Sequence, residues 1–209
     1  MNESQHREAN VAKWDAWAAT LDGTGWKSEY LRRAQRSVID LMEIGENPTV
    51  LDVGCGTGWA LGQIAALRDG KGEYYGIDLS AKMIAKAIQN FQGKRNFHFV
   101  QAASDTIPLP ADFADAIICT NSFHHYYDPG KALREMRRLL KRGGRTYILD
   151  PTADNLIARI WDRAARLLDR SHGKFYSTQE FREMIVASGL TYVGKQEPNI
   201  IDMVHIGEK

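Results

Sequence analysis

The sequence contains only two cysteines, Cys55 and Cys119, and they show neither the spacing of a metal site nor a disulfide framework. Each lies within or beside a short apolar run, so we interpret both as small core residues and expect no bound metal. No apolar run approaches the roughly 18 residues that a membrane span requires. The first ten residues are polar and lack the apolar region of a signal peptide. These absences predict a soluble, cytoplasmic protein.

An excess of charge of either sign is also missing. The chain has 27 lysines and arginines against 26 aspartates and glutamates, a formal net charge of +1. Such a balance provides no long-range field to attract nucleic acid or an anionic membrane surface. We therefore expect a small-molecule substrate and no nucleic-acid partner, and nothing in the sequence favours one oligomeric state. The length of 209 residues suits one domain with a sizeable core, so we assign residues 1–209 to a single domain.

From Thr49 onward, short apolar runs alternate with longer amphipathic segments. Their periodicity predicts strands at 49–53, 73–77, 97–100, 114–120 and 145–149, and helices at 59–67, 80–91 and 130–140. Ser80 is a candidate N-cap for the second of these helices. Gly143 and Gly144 follow the third helix, where glycine favours the left-handed conformation that ends helices. Alternating strands and helices predict right-handed crossovers and a parallel sheet covered on both faces.

The two ends of the chain differ from this pattern. Helices are predicted at 11–20 and 28–42 upstream, and at 156–168 and 179–188 downstream. The last two apolar runs, 191–195 and 201–206, are separated by a turn around Pro198 and predict a closing antiparallel hairpin. The upstream helices carry or flank three tryptophans that we interpret as packing residues, with substrate contact as the alternative: Trp14, Trp17 and Trp26.

The main functional motif is a glycine-rich turn between the first predicted strand and its helix, with Gly54, Gly56 and Gly58 at alternate positions. Glycine adopts backbone conformations closed to other residues and lets a ligand approach the main chain. The amides that begin the next helix also face such a ligand. Because ligands of open parallel sheets bind beyond the carboxyl ends of the strands, this turn is a candidate ligand site. A tight turn without a ligand is the alternative.

Asp78 ends the second predicted strand, about twenty residues beyond the glycines. A carboxylate has two acceptor oxygens, which suits the two hydroxyls of a ribose, although an aspartate here also fits a turn or helix cap. The glycine turn and Asp78 together predict an adenosine-containing ligand.

The third glycine distinguishes between two kinds of ligand. In the dinucleotide fingerprint the third glycine stands at the sixth position, but here that position is Trp59, and Gly58 comes one residue earlier. Asp52 beside the loop would repel phosphate and would suit an ammonium group. These features favour a ligand without phosphates and leave a nicotinamide-dependent oxidoreductase as a weaker alternative.

Four blocks occur in order along the middle of the chain, at 50–59, at 76–80 with Met83, at 107–115, and at 123–129 followed by 139–144. In combination they resemble the class I S-adenosylmethionine-dependent methyltransferases, especially the ubiquinone and menaquinone biosynthesis subgroup. The resemblance implies a Rossmann-like α/β fold with helices on both faces of a seven-stranded, mostly parallel sheet. The implied strand order is 3-2-1-4-5-7-6, with the seventh strand antiparallel. It also implies that helices within residues 1–45 cover the active site.

The same resemblance implies roles for individual residues in holding S-adenosylmethionine. The methionine part would contact the glycine loop, including Cys55, with its ammonium on Asp52 and the ribose on Asp78. The remaining cofactor contacts would be adenine packing by Leu79 and Met83, adenine hydrogen bonding by Ser104 and Asp105, and Asn121 near the reactive centre. The carboxylate usual at the adenine edge is Ala103 here, so Asp105 is its candidate replacement.

The implied reaction is in-line methyl transfer to an oxygen, nitrogen or carbon of a small molecule. An acceptor that must lose a proton needs a general base, for which His125, His124 and Asp150 are candidates. A structural or cofactor-covering role is the alternative for the two histidines. For the whole protein, the alternative is a non-catalytic S-adenosylmethionine-binding module.

Overall fold

The computed structural model describes residues 2–209, without the side chain of Lys27. The helices are α1 Glu3–Trp17, α2 Trp26–Ile39, α3 Trp59–Ala66, α4 Ala81–Asn90, α5 Pro129–Leu139, α6 Leu156–Leu168 and α7 Thr178–Ala187. The strands are β1 Thr49–Val53, β2 Glu73–Asp78, β3 Phe97–Gln101, β4 Ala114–Thr120, β5 Leu140–Pro151, β6 Thr191–Gln196 and β7 Asp202–Glu208. A short 3-10 turn, Phe123–His125, follows β4.

The seven strands form one sheet in the order β3-β2-β1-β4-β5-β7-β6. Strands β1 to β5 pair in parallel, whereas β7 runs antiparallel to both β5 and β6. The short connection between β6 and β7 allows only an antiparallel hairpin, and this hairpin inserts the last strand beside β5. The predicted strand order and the antiparallel seventh strand are confirmed.

Neighbouring residues of the central strands point to opposite faces of the sheet, and both faces are apolar. In β1, Leu51 packs in a cluster with helices α5 and α7, while Val50 packs in a second cluster with α2 and α3. In β4, Ile117 and Ile118 divide between the same two clusters. A strand that is buried on both faces reads as a continuous apolar run, which is why these strands were recognisable in the sequence.

The predicted N-cap of α4 is confirmed. The Ser80 hydroxyl accepts a hydrogen bond from the Met83 backbone amide at 3.1 Å. This cap satisfies one of the free amides of the first helical turn. It places the start of α4 directly after Asp78, so the end of β2 and the beginning of α4 share one edge of the sheet.

The predicted end of α5 is correct to within one residue, but the predicted glycine stop is wrong. The helix ends at Leu139, and Leu140 already has extended backbone and begins β5. Gly143 does have a positive φ of 74°, but it lies inside β5, where its amide donates to the Lys209 carbonyl. Gly143 therefore allows an irregularity within β5 and does not end a helix. Its hydrogen bond to Lys209 outweighs the local preference of glycine for the position after a helix.

Helix α6 exposes most of its apolar side chains, including Ile157, Trp161 and Leu168. Its buried polar residue is Asp162, which faces the loop that follows the helix. Within residues 2–209, no helix has the length and apolar character needed to cross a membrane.

Candidate cofactor site

A cavity lies beyond the carboxyl ends of β1, β2 and β4, with helix α1 on its opposite side. Nine residues predicted to hold the cofactor contribute to its wall: Gly54, Cys55, Gly56, Asp78, Leu79, Met83, Ser104, Asp105 and Asn121. The tertiary structure thus brings together segments that lie far apart in the sequence. Asp52 and Gly58 are outside this lining.

Each glycine of the loop has a positive φ, but the three meet different neighbours. A Cβ atom on Gly54 would lie 2.4 Å from the Ser122 Oγ, so the loop and the chain after β4 are in close contact. A Cβ on Gly58, the N-cap of α3, would lie 2.9 Å from the Phe91 ring. Packing against the protein thus explains both Gly54 and Gly58, whereas a Cβ on Gly56 would meet Leu21 Cδ2 at 3.3 Å, which leaves Gly56 the most open of the three to a ligand.

We expect the substitution Gly54→Ala to destabilise the protein by about 1–2 kcal/mol more than Gly93→Ala, because only the first adds crowding to an unfavourable φ. The two glycines have φ values of 85° and 83°, and a Cβ at Gly93 meets no described heavy atom within 4 Å. Urea unfolding of both variants measures the difference. Equal losses would show that Ser122 simply moves aside.

Asp78 connects the glycine loop after β1 with the end of β2. One of its carboxylate oxygens accepts from the Gly56 amide at 2.9 Å, and the other accepts from the Ser80 amide at 2.9 Å. Burial raises the pKa of this carboxyl group, while the two amides counteract the rise by favouring the charged form. Each oxygen keeps a further lone pair for a hydroxyl group. The geometry suits a ribose diol.

Asp52 is fully buried in β1, and neither of its carboxylate oxygens has a hydrogen-bond partner among the described residues. Burial, followed by the charge of Asp78, raises the pKa of Asp52 to about 8. An unpartnered buried carboxylate is costly, and a cation would relieve that cost. The residue therefore fits the predicted ammonium partner chemically, although it stands behind the cavity wall.

The adenine end of the predicted site contains an unexpected ion pair. The Arg7 guanidinium in α1 donates to both oxygens of Asp105, at 2.9 and 2.8 Å. Asp105 is the candidate replacement for the carboxylate missing at Ala103. Its ion pair with Arg7 connects it to helix α1. The sequence contained no indication of Arg7, because its partner lies almost a hundred residues away.

The N-terminal segment closes the other side of the cavity. His6, Asn10 and Trp14 of α1 line it, which makes Trp14 the tryptophan placed to meet a ligand. In the connection to α2, the Asp22 carboxylate accepts from the Thr57 hydroxyl at 2.6 Å, next to the glycine loop. These contacts tie the N-terminal helices to the cofactor side of the sheet.

The three predicted base candidates are divided by the structure. Asp150 is fully buried and accepts hydrogen bonds at 2.8 Å from both the backbone amide and Nδ1 of His124. Burial, with a smaller effect from His172, lowers the pKa of His124 to about 3, and burial raises that of Asp150 well above its usual range. Of the three candidates, His125 alone lines the cavity. Asp150 is therefore a positioning residue for His124.

Asn121 follows β4 with a positive φ of 51°, a conformation that asparagine tolerates better than most residues. Its backbone N–H donates to the Leu149 carbonyl at 2.8 Å, which fixes the turn at the cavity wall. Its side-chain Oδ1 is buried without a hydrogen-bond partner among the described residues. It is therefore available to a ligand at the end of β4.

The strand order and the position of the cavity are those of a Rossmann-like α/β fold with a ligand site at the carboxyl edge of its sheet. Residues 51–148 match the model of the methyltransferase domain family. Over these residues the chain is similar to this family, and the resemblance found in the sequence is confirmed. The match agrees with the enzyme class and the cofactor type that the resemblance implied.

Individual relatives agree with the family match. The uncharacterized methyltransferase YcgJ of Bacillus subtilis is 32% identical over 155 residues, which cover 72% of this chain and 60% of that protein. The ubiquinone/menaquinone biosynthesis C-methyltransferase UbiE of Pectobacterium atrosepticum is 32% identical over 119 residues, or 56% of this chain and 47% of that protein. The chain thus spans between about half and 60% of these relatives' lengths.

Among solved structures, the SAM-dependent methyltransferase from Aquifex aeolicus superimposes with a TM-score of 0.73 at 23% identity. The superposition covers 92% of this chain and 97% of that one. It includes the elements outside the matched domain, so the architecture of nearly the whole chain agrees with a known methyltransferase fold.

Proposed function

We propose that this protein transfers the methyl group of S-adenosylmethionine to a small-molecule acceptor by in-line displacement. The proposal rests chiefly on one observation: the Gly56 amide and the Asp78 carboxylate meet at 2.9 Å in the wall of one cavity. Main-chain groups for an amino-acid moiety and a carboxylate for a ribose are thereby placed side by side.

In this proposal the described residues divide the cofactor among them. Asp78 holds the ribose, Gly54 and Gly56 admit the methionine chain, and Asp52 balances its ammonium. Leu79 and Met83, both in the cavity wall, provide an apolar surface for adenine. When bound, the cofactor supplies a methyl group already activated by the positive sulfonium.

Helix α1 has the second role in the proposal, because it lines the cavity opposite the glycine loop. We assign the N-terminal helices, within residues 1–45, to covering the active site and treat residues 1–209 as one functional domain. By holding the acceptor in line with the methyl group and excluding water, such a cover can provide on the order of 7–11 kcal/mol. His125, at the cavity wall, is the candidate to receive a proton from the acceptor.

Isothermal titration of the purified chain with S-adenosylmethionine, and with NADH in parallel, tests the proposal. We expect one site for S-adenosylmethionine and no heat of binding from NADH. The absence of S-adenosylmethionine binding at millimolar concentration would refute the proposal. Binding of NADH alone would restore the nicotinamide alternative.

A labelled-methyl assay separates the enzyme from a non-catalytic binding module. The cofactor carries the label, and a cell extract is divided into small-molecule and macromolecular fractions before it is added. We expect label in the small-molecule fraction. Cofactor binding without transfer to any fraction would favour the binding module, and label only in macromolecules would contradict a small-molecule acceptor.

The cytoplasmic location stays a prediction from the sequence. Fractionation of cells that express the full protein, followed by immunodetection, is the measurement that checks it.

A further inference from the structure

Three histidines meet beside the cofactor cavity. His124 and His125 lie in the turn after β4, and His172 comes from the loop after α6. One ring nitrogen of each lies within 4.8 Å of one from each of the others. The side chains of His124 and His172 are only 11% and 3% exposed, so this cluster is part of the interior.

A hydrogen bond to an oxygen occupies one ring nitrogen of each histidine. Nδ1 of His124 is hydrogen-bonded to Asp150 at 2.8 Å, and Nδ1 of His125 donates to the Ser171 carbonyl at 2.7 Å. Nε2 of His172 donates to Asp162 at 2.9 Å. A backbone carbonyl only accepts, so the proton of neutral His125 is on Nδ1.

These bonds leave one nitrogen on each ring without a hydrogen-bond partner among the described residues: Nε2 of His124, Nε2 of His125 and Nδ1 of His172. Histidines that bind metals almost always donate their other ring N–H to a carboxylate or a backbone carbonyl, which fixes the tautomer and the ring orientation. All three histidines meet this condition.

We propose that His124, His125 and His172 form a binding site for a divalent transition-metal ion with the ligand preference of Zn²⁺. Three histidine nitrogens with a fourth position for water or substrate form one of the known open zinc sites. Ligand nitrogens around tetrahedral zinc are about 3.3 Å apart, and one ring nitrogen of each of these histidines already lies within 4.8 Å of the others. Because His125 also lines the cofactor cavity, the ion would be next to the proposed methyl acceptor, and it would take the ring nitrogen that His125 uses as a base in the metal-free protein.

The expectation of no metal site came from the cysteine spacing. His172 lies in a separate loop far downstream of the other two ligands, so no sequence spacing identifies the cluster. The carboxylates that contact two of the rings come from two further elements, Asp150 from β5 and Asp162 from α6.

The test uses the full chain, first stripped of metal by a chelator. Titration with Zn²⁺ is followed by calorimetry, and titration with Co²⁺ by visible absorption. We expect one equivalent of each ion and the intense visible bands of four-coordinate Co²⁺. In His172→Gln the affinity should fall by at least 100-fold, whereas the matched control His98→Gln, at an exposed residue paired with Glu73 on β2, should bind as the wild type does.

No saturable binding by the wild type, or binding unchanged in a folded His172→Gln, would overturn the proposal and indicate a packing cluster. S-adenosylmethionine affinity is measured on the same metal-free samples, so failure of the metal site and failure of the proposed function are distinguishable.

Discussion

Replacing Asp52 by asparagine should stabilise the cofactor-free protein relative to the wild type, and by about 4 kcal/mol more at pH 9 than at pH 5. The carboxyl group of Asp52 is fully buried, has no hydrogen-bond partner among the described residues, and has a pKa raised to about 8 by burial. Asparagine has nearly the same shape and cannot ionise.

The direction of this effect follows from proton binding. An unfolded aspartate has a pKa near 3.9, so between about pH 4 and pH 8 the folded chain binds more protons at Asp52 than the unfolded chain does. The contribution of Asp52 to wild-type stability is therefore present at low pH and is lost as the pH rises towards the folded pKa. In Asp52→Asn this loss is absent, and the two stability curves diverge with rising pH.

Urea unfolding at several pH values between 5 and 9 measures the divergence. The variant Asp40→Asn, at an exposed carboxyl group, is the control and should keep the wild-type slope. Parallel curves for Asp52→Asn and the wild type would show that Asp52 is ionised in the folded protein and has a partner. Asp52→Asn should also bind S-adenosylmethionine more weakly above pH 8, because it lacks the negative charge proposed to balance the ammonium.

Asp78→Asn should weaken S-adenosylmethionine binding by about 1–3 kcal/mol, or roughly 5- to 150-fold. The wild-type carboxylate accepts from the Gly56 and Ser80 amides and keeps lone pairs for two hydroxyls. Asparagine keeps a single acceptor oxygen, and its amide nitrogen would face a backbone donor. Both the charge-assisted bonds to the ribose and the anchoring of the glycine loop are reduced.

Calorimetry with S-adenosylmethionine measures the loss, and thermal unfolding of the unliganded variant separates the two causes. Asp112→Asn, at a carboxylate paired with Lys209 away from the cavity, is the control and should bind normally. If Asp78→Asn keeps wild-type affinity, the ribose is held elsewhere and the proposed cofactor geometry is wrong.

Most of the fold was predictable because its elements follow from local chemistry. The strand Ala114–Thr120 was predicted at its observed limits, since both of its faces are apolar. The sheet order was implied by the resemblance of the glycine loop and the later motifs to those of class I methyltransferases. The end of α5 was predicted to within one residue, but Gly143 was wrongly taken as its stop, because Gly143 pairs with Lys209, a contact that no local pattern contains.

The candidate site was predictable to the extent that it follows the strands. Gly54, Gly56 and Asp78 end β1 and β2 or directly follow them, and parallel strands bring their carboxyl ends to one edge. Arg7, Asp22 and His172 were missed because they reach the site from elements outside this repeating pattern.

The sequence by itself determined the parallel sheet, the position of the glycine loop and the carboxylate one strand away, since each depends on residues close together in the chain. Only the tertiary structure decided that Asp105 pairs with Arg7, that Asp150 orients His124, and that three histidines converge. Those contacts depend on how separate elements pack, and the free energy of packing is a property of the folded chain rather than of any segment within it.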